Sequence, residues 1–317
     1  MTTVAARWRP TAILLPFVVL FCFLCLILLR YDLPSTDFTK NNSSPTLNLP
    51  SPTNSHLCVL ARTYPKQYTY LPAFLLSVVK GTDHSAPLDT TVVVVVTEET
   101  TREQKKVLRD TLRVTEEAAM VGGHPRPKIV TLDVRKEEAE RVYPLLKDGW
   151  SDYGYAYTDV AIEKLAAAHS SPHTTFPKCD YIMFTNADNL YSSRLGTHIT
   201  PHITSQTDLI GFDMISGHAW HSRSAADPAQ GIYDDATMKH LTVAFKTAAI
   251  DLGASIHRFD LVVKHGFRFL KIAGVTEGME GEEAKAKLWN ADGNFIEASK
   301  AVAQKTAIIR QTLFVHQ

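Results

Sequence analysis

Asn186, Asp188 and Asn189 follow directly after an apolar, strand-like segment in the stretch CDYIMFTNADNLYSS. Their side chains offer carboxylate and amide oxygens, which are the ligands that Mg²⁺ and Mn²⁺ prefer, and such ions complete their coordination with water and phosphate oxygens. A bound diphosphate fits that chemistry. The same residue types are common in ordinary turns, so on composition alone a plain turn after the strand is an equally good interpretation.

The segments around this stretch alternate between strand-like and helix-like patterns. The run TTVVVVVT is β-branched and apolar on both faces, which is typical of a central parallel strand covered by helices. The alternation predicts a doubly wound α/β fold with a mostly parallel sheet, in which ligands bind beyond the carboxyl ends of the strands. Asn186 and Asp188 then fall at such an end, which favours the metal interpretation. The predicted strands are Leu57–Ala61, Thr90–Thr97, Lys128–Val134, Tyr181–Thr185, Asp208–Met214 and Ala254–His257, and the predicted helices are Tyr70–Lys80, Thr101–Met120 and Asp159–His169.

The stretch CDYIMFTNADNLYS resembles the metal-binding segment of GT-A-fold glycosyltransferases, which carry a short Asp-x-Asp motif after a central strand. Asn186 stands where that family has its first acid, so the resemblance makes Asp188 the main expected metal ligand, with Asn186 beside it. It also implies Mn²⁺ or Mg²⁺ as the ion, a UDP- or GDP-sugar as the donor, and the type II membrane form of the Golgi enzymes.

Three further segments resemble the donor side of the same family. In VLARTYPKQ the resemblance places Arg62 and Thr63 against the nucleotide base or phosphates. In VTLDV it places Asp133 near the base or ribose, and in YTDVAIEKL it places Asp159 near the sugar or nucleotide. Simpler interpretations stay open, because Arg62 also suits an exposed surface and aspartate is favoured in turns and at helix N-termini.

The segments AAIDLGASIHR and WNADGNFIEA resemble the acceptor side of this fold. Asp292 is the first choice for the general base of an inverting reaction, and Glu297 and Asp251 are the alternates; a retaining reaction needs no such base. The tryptophan in WNADGNF stands next to carboxylate and amide groups, which suits a sugar, although Asp292 equally suits a helix cap. In the terminal LFVHQ, the resemblance adds His316 to the metal ligands.

The uncharged apolar stretch Thr11–Leu29 is about as long as a membrane-spanning helix, which needs roughly 20 residues. Arg7 and Arg9 precede it, which favours a cytosolic N-terminus. A cleaved signal peptide is disfavoured, because the apolar core is long and no small-x-small cleavage site follows it. We therefore expect a cytosolic tail at 1–10, an anchor at 11–29, a disordered stem at 30–55 and a lumenal catalytic domain at 56–317.

Charge and cysteine content narrow the function class further. The 317 residues include 33 basic and 33 acidic side chains, which argues against a nucleic-acid binder, because such proteins carry a basic face. Cys58 and Cys179 lie outside the apolar stretch and suit one disulfide in a lumenal domain, but the sequence does not show that they approach each other. The stem contains two overlapping glycosylation sequons, at Asn41 and Asn42.

The leading hypothesis is a metal-dependent, hexosyltransferase-like glycosyltransferase that acts on a glycan or glycoprotein. A second hypothesis is a catalytically inactive, membrane-tethered binding or scaffold protein with the same fold, which Asn186 in the metal motif makes credible. A third, a nucleotidyltransferase, is disfavoured because no Gly-rich phosphate loop follows the first strand, where ARTYPKQYTY has no glycine. The sequence leaves the sugar, the acceptor and the oligomeric state open.

Overall fold

The computed structural model describes residues 55–64, 68–82, 88–97, 101–121, 128–169, 171, 176, 178–216, 239–276 and 278–316. The predicted tail, the predicted anchor and all but the last residue of the predicted stem lie outside these ranges. Among the helices within them, none combines the length and the apolar content that a membrane crossing requires. The described residues belong to one compact unit, Pro50–Gln317.

Four parallel strands form the first half of the sheet, in the order β3-β2-β1-β4. The valines of the TTVVVVVT run are buried on both faces of β2, because helices cover this part of the sheet. The predicted strands of this half are confirmed to within two residues at each end. Their bounds are Ser55–Arg62 for β1, Leu88–Thr97 for β2, Lys128–Val134 for β3 and Tyr181–Asn186 for β4.

The helix that precedes β4 begins four residues before the predicted start at Asp159. Asp152 explains the earlier start, because its carboxylate accepts the backbone N–H groups of Gly154 at 3.0 Å and Ala156 at 2.5 Å. The helices are α1 Leu71–Thr82, α2 Arg102–Val121, α3 Lys136–Val142, α4 Tyr155–His169, α5 Leu195–Thr204, α6 Phe259–Lys264, α7 Phe269–Ile272, α8 Gly281–Leu288 and α9 Ala291–Val302, with 3-10 turns at Pro144–Asp148 and Leu252–Ala254.

The second half of the sheet is mixed, so the prediction of a mostly parallel sheet is wrong here. In the described residues four of the eight strand pairings are antiparallel. Three of the strands in this half are only two to four residues long, and so short a segment has no periodicity that reveals its direction. The strands are β5 Leu190–Tyr191, β6 Leu209–Ser216, β7 Lys239–Leu241, β8 Ser255–Arg258 and β9 Thr306–His316.

The long strand β9 pairs in parallel with β6 and antiparallel with β5, and two buried aspartates fix its position. Asp208 Oδ2 accepts the backbone N–H groups of Gln304 at 2.8 Å and Lys305 at 3.0 Å, just before β9 begins. Asp213 Oδ1 accepts from Arg310 Nη1 at 2.9 Å, next to an irregularity in the β6–β9 register. These contacts fix the position of β9 along β6, and with it the position of His316 at the end of β9.

A disulfide joins Cys58 in β1 to Cys179, which lies just before β4, with Cα atoms 5.5 Å apart. The pairing that the sequence left open is therefore made. The two cysteines are 121 residues apart in sequence, and both are buried. The bridge ties the two central parallel strands together near their amino ends.

Removal of this disulfide is expected to lower the free energy of unfolding by about 2 to 5 kcal/mol, because the bridge restricts the unfolded chain over a long loop. Urea denaturation of the Cys58→Ala/Cys179→Ala variant, compared with wild type, measures this change. Dithiothreitol should destabilise wild type by a similar amount and leave the double variant unaffected. Equal stability of wild type with and without the reductant would contradict the assignment.

Candidate active site

Arg62 and Asn186 are register partners at the carboxyl ends of β1 and β4. The chain proceeds from β1 to β2 and β3 on one side, whereas β4 lies on the other side of β1. This makes the β1–β4 boundary a topological switch point, where the connections leave a crevice outside the strand ends. The side chains at this edge define the candidate active site.

Arg62 is buried at this edge and is held by two hydrogen bonds. Its Nε donates to Asn186 Oδ1 at 2.9 Å, and its Nη1 donates to the backbone carbonyl of Tyr153 at 3.1 Å. The guanidinium carbon lies 5.0 Å from the centre of the Tyr155 ring, a cation–π geometry. The simpler interpretation of Arg62 as an exposed surface cation is therefore wrong, because its side chain is buried among these groups.

Burial disfavours the charge of Arg62, but the phenol of Tyr155 and the carboxylates of Asp292 and Asp251 more than offset it, so the pKa of Arg62 is raised. A cation that stays charged in this position attracts anions. The nearest anionic groups are the protein's own carboxylates, Asp292 and Asp251.

Asp292 lies near the start of α9 and is partly buried. The Tyr155 hydroxyl donates to its Oδ1 at 2.6 Å. Burial and the nearby charge of Asp251 raise the pKa of Asp292, although Arg62 and the Tyr155 hydrogen bond oppose that rise. A carboxylate with a raised pKa is a better proton acceptor near neutral pH than an ordinary surface aspartate.

Asp251 and His316 complete this side of the site. Asp251 Oδ1 accepts the Gly253 N–H at 2.7 Å, and its Oδ2 lies 3.8 Å from His316 Nε2. His316, at the end of β9, shares a 3.1 Å hydrogen bond between its Nδ1 and Ser216 Oγ. Asp251, Asp292 and Arg62 thus influence one another electrostatically, and His316 borders them.

Asp188 lies in the turn after β4, partly buried. The turn is pinned by the Ala187 N–H, which donates to the Arg62 carbonyl at 2.9 Å. Asn189 is buried and donates from Nδ2 to Thr185 Oγ1 at 3.1 Å, a hydrogen bond that stabilises the turn. Burial raises the pKa of Tyr64 to about 12, and the charge of Asp188 contributes to that rise, which places this carboxylate in the same neighbourhood.

The predicted metal ligands fit a protein-only metal centre poorly. Asn186 Oδ1 accepts from Arg62, and His316 interacts with Ser216 and Asp251. Within the described ranges, no three His, Cys, Asp or Glu side chains cluster in a way that could hold a metal ion. Asp188 supplies a carboxylate of the type that Mg²⁺ and Mn²⁺ accept when phosphates and water provide the other oxygens.

Two predicted site residues have other partners, and a third is exposed. Asp159 is buried in α4 and accepts the backbone N–H groups of Phe269 at 2.7 Å and Leu270 at 3.1 Å, so it caps α7. Glu297 is exposed and accepts the Thr247 N–H at 2.6 Å. Asp133 is exposed at the end of β3. The capping alternative describes Asp159 well, and none of these three is in contact with Arg62 or Asp292.

A small pocket opens at the ends of β1 and β2. Thr63, a predicted nucleotide contact, is only 3% exposed, and among the described residues its Oγ1 has no hydrogen-bond partner. A buried hydroxyl in this state is unusual unless a ligand or water satisfies it. The pocket is lined by Arg62, Thr63, Tyr64, Val95, Gly154 and Tyr157.

Tyr153 and Tyr155, which link Arg62 to Asp292, were not among the predicted site residues. Both follow Asp152 in the stretch SDYGY. Gly154 adopts φ +83°, and an added Cβ would collide with the Tyr64 hydroxyl. An Asp two residues before a Gly, ahead of a helical pattern, is a cap-and-turn signal that could have located this loop.

No protein-family model matches the chain, and no curated protein matches it. Among solved structures it is similar to S. aureus TarS 1-349 in complex with UDP-GlcNAc, at 13% identity over 82% of this chain and 58% of that chain, with a TM-score of 0.42. It is similar to the mannosyltransferase PcManGT from Pyrobaculum calidifontis in complex with GDP-Man and Mn²⁺, at 10% identity over 96% of this chain and 66% of that chain, with a TM-score of 0.43.

A third similar structure is the 4-diphosphocytidyl-2C-methyl-D-erythritol synthase from Anaerococcus prevotii DSM 20548, at 8% identity over 82% of this chain and 90% of that chain, with a TM-score of 0.38. TarS and the mannosyltransferase each bind a nucleotide sugar. This chain spans less than two thirds of the length of both. With TM-scores below 0.5, these likenesses identify neither the reaction nor the substrate of this chain.

The buried carboxyl of Asp159 predicts a pH-dependent stability. Burial raises its pKa to about 7, against the backbone hydrogen bonds from Phe269 and Leu270, while an unfolded chain has it near 3.9. Between these values the folded chain holds a proton that the unfolded chain has lost, so stability falls as pH rises, by about 1.4 kcal/mol per pH unit from this group. Asp159→Asn should flatten that decline in urea titrations between about pH 4 and pH 7. Parallel pH profiles for both proteins would contradict it.

The Tyr155 hydrogen bond predicts a change in the titration of Asp292. In Tyr155→Phe the carboxylate loses a donor that favours its charged form, so the pKa of Asp292 should rise further. Carboxyl ¹³C NMR titration measures it, with Asp292→Asn used to assign the resonance. Tyr153→Phe, which keeps the Tyr155 hydroxyl, is the matched control. An unchanged or lowered pKa in Tyr155→Phe would show that this hydrogen bond is not made.

Proposed function

We propose that this protein is a glycosyltransferase that moves a sugar from a nucleotide-diphosphate donor to a glycan or glycoprotein acceptor. The single observation that carries the proposal is the buried Arg62 at the β1–β4 switch point, bonded to Asn186 and linked through Tyr155 to Asp292. A fixed cation and a carboxylate of raised pKa at one crevice suit a reaction with an anionic leaving group and a proton to be removed.

The donor side of the proposal uses the ends of β1 and β2. Thr63 offers a buried hydroxyl beside Arg62, and the nucleotide part of the donor would lie against this end of the two strands. Arg62 would then lie next to the diphosphate, which is attached to the nucleotide. Its guanidinium attracts phosphate oxygens and is held by the protein before any ligand arrives.

Asp292 is the proposed general base of an inverting reaction. It would take the proton of the acceptor hydroxyl while that oxygen forms a bond to C1 of the sugar, and the C1–O bond to the diphosphate breaks with its electron pair going to the phosphate. Such bases typically contribute about 100-fold to 10,000-fold to the rate. Asp251 lies nearby as the alternate, whereas Glu297 is occupied elsewhere.

Dependence on a divalent cation is part of the proposal and depends on Asp188. This carboxylate would hold Mn²⁺ or Mg²⁺ jointly with donor phosphate oxygens and water, since these ions take few protein carboxylates when a phosphate is present. When bound, the ion would stabilise charge on the departing diphosphate. Asn186, tied to Arg62, would orient the β4 end, and His316 would border the site through Asp251.

A Golgi location with a lumenal catalytic domain completes the proposal. The apolar stretch Thr11–Leu29 and the Pro/Ser/Thr-rich segment after it support a single-pass type II anchor. The Cys58–Cys179 bridge also suits an oxidising compartment.

A second candidate is a binding protein that holds a nucleotide sugar without turnover. The observation that favours it is Asn186, whose Oδ1 accepts from Arg62 where the resembling family has a carboxylate. Thermal stabilisation by UDP or GDP with Mn²⁺, but neither donor hydrolysis nor sugar transfer, would support this candidate.

A donor screen tests the proposed reaction. With the full chain and Mn²⁺, one UDP- or GDP-sugar should lose its sugar to an acceptor or to water. EDTA and Asp188→Ala should each reduce that rate by about 100-fold or more, because the leaving diphosphate loses its metal.

Asp110→Ala, which removes an exposed carboxylate from α2, is the matched control and should keep wild-type activity. Urea denaturation confirms that each variant is folded. Full activity of folded Asp188→Ala would refute the role of this residue.

A further inference from the structure

Trp289 is 58% exposed at the turn between α8 and α9, beside the candidate active site. Its indole meets the Tyr153 ring edge-on, with centroids 6.1 Å apart and planes at 76°. Tyr153 contacts Tyr155 at 6.5 Å, and the Tyr155 hydroxyl donates to Asp292. Three aromatic rings therefore run without interruption from an exposed indole to the proposed base. We refer to Tyr153 and Trp289 as the aromatic platform.

The backbone of Tyr153 is in an unfavourable conformation, with φ +55°. For a bulky residue this is a true outlier, and it costs on the order of 1 to 3 kcal/mol unless the surroundings impose it. The surroundings do so here. Its carbonyl accepts from Arg62 Nη1 at 3.1 Å, and its N–H donates to Ser151 Oγ at 3.3 Å. Arg62 thus also fixes the backbone of the residue whose ring contacts Trp289.

Trp289 is also close to Asp292 in the sequence, at the turn that joins α8 to α9. Trp289 has helical angles, φ −55° and ψ −32°, and Asn290 at φ −107° and ψ 12° leads directly into α9. Asp292 is the second residue of that helix. Trp289 therefore lies three residues before the proposed base along the chain, in addition to its link through the tyrosines.

We propose that the aromatic platform is the acceptor subsite and that its ligand is a pyranoside, an inference that rests on the proposed function. A pyranose has an apolar face of C–H groups and a rim of hydroxyls. A large flat indole covers the first, and the neighbouring carboxylate accepts a hydrogen bond from the second. The glycoside stacks on Trp289 and directs a hydroxyl to Asp292.

A nucleotide base also stacks on aromatic rings, but the proposed function puts the donor at the ends of β1 and β2. The pocket at the ends of β1 and β2 contains the buried Thr63 hydroxyl and Val95. Trp289 instead belongs to the turn that leads to Asp292, where the acceptor hydroxyl must arrive. The two rings of the platform therefore suit the acceptor better than the donor.

Saturation-transfer NMR on the full chain tests the subsite. The probes are the methyl β-glycosides of glucose, galactose, mannose, xylose and N-acetylglucosamine, each with and without UDP or GDP and Mn²⁺. At least one glycoside should receive saturation at its ring C–H protons. Trp289→Ala should weaken its binding by about tenfold or more, equivalent to about 1.4 kcal/mol.

Two further variants keep the result interpretable. Trp289→Tyr retains an aromatic ring and should keep most of the binding, and Val263→Ala removes exposed apolar surface from α6 and should leave binding unchanged. Urea denaturation should give similar midpoints for all variants, since both side chains are exposed. If Trp289→Ala is partly unfolded, Trp289→Tyr decides the test instead. Lost glycoside binding in folded Trp289→Tyr would contradict stacking on an aromatic ring at this position and would overturn the proposal.

Absence of glycoside binding to wild type, or equal binding by Trp289→Ala, would overturn the proposal. Weaker UDP or GDP binding in Trp289→Ala with unchanged glycoside binding would assign the indole to the nucleotide and overturn it as well. The assay needs no turnover. Glycoside binding through Trp289 in a chain that transfers no sugar would therefore contradict the proposed reaction and leave the saccharide subsite established.

Discussion

A guanidinium buried between two parallel strand ends needs compensating groups, and the arrangement around Arg62 follows from this need. Asn186 and the Tyr153 carbonyl accept its hydrogen bonds, and the Tyr155 ring lies in cation–π contact with it. The negative charges of Asp292 and Asp251 favour its charged form. Removal of one partner from such a set leaves an uncompensated charge, which is far more costly than replacing the whole set. The neighbouring acids in turn tolerate each other because this cation offsets their repulsion.

The first half of the sheet could be predicted from the sequence, and the second half only in part. Strands β6 and β8 lie within two residues of the predicted Asp208–Met214 and Ala254–His257, but the antiparallel pairings and the shortest strands were not predicted. Strands β1 to β4 carry apolar runs that are long enough to stand out, and each is followed or preceded by a helical pattern. By contrast, β5 has two residues and β7 three. Their existence and direction depend on tertiary partners such as β9, whose pairing with β6 spans about a hundred residues of sequence.

Strand order decides where some of the predicted site residues lie, whereas side-chain contacts decide the surroundings of the others. Arg62 and Asn186 are at the switch point because the strand order puts them there, and no particular contact is needed to infer that. Asp159 and Asp133 carry the same chemistry in the sequence, yet one caps α7 and the other is exposed. Tyr155 escaped notice because only the folded chain brings its hydroxyl to Asp292, a residue 137 positions away.

The place of β9 between β6 and β5 has a consequence for the order of folding. The strand lies inside the sheet although it comes late in the sequence. The facing edges of β6 and β5 therefore stay unpaired until β9 is in place. Pairings of such long sequence separation form slowly. We therefore expect the corner where His316 meets Asp251 to assemble late in folding, and the edge of β6 to stay open to non-native pairing until it does.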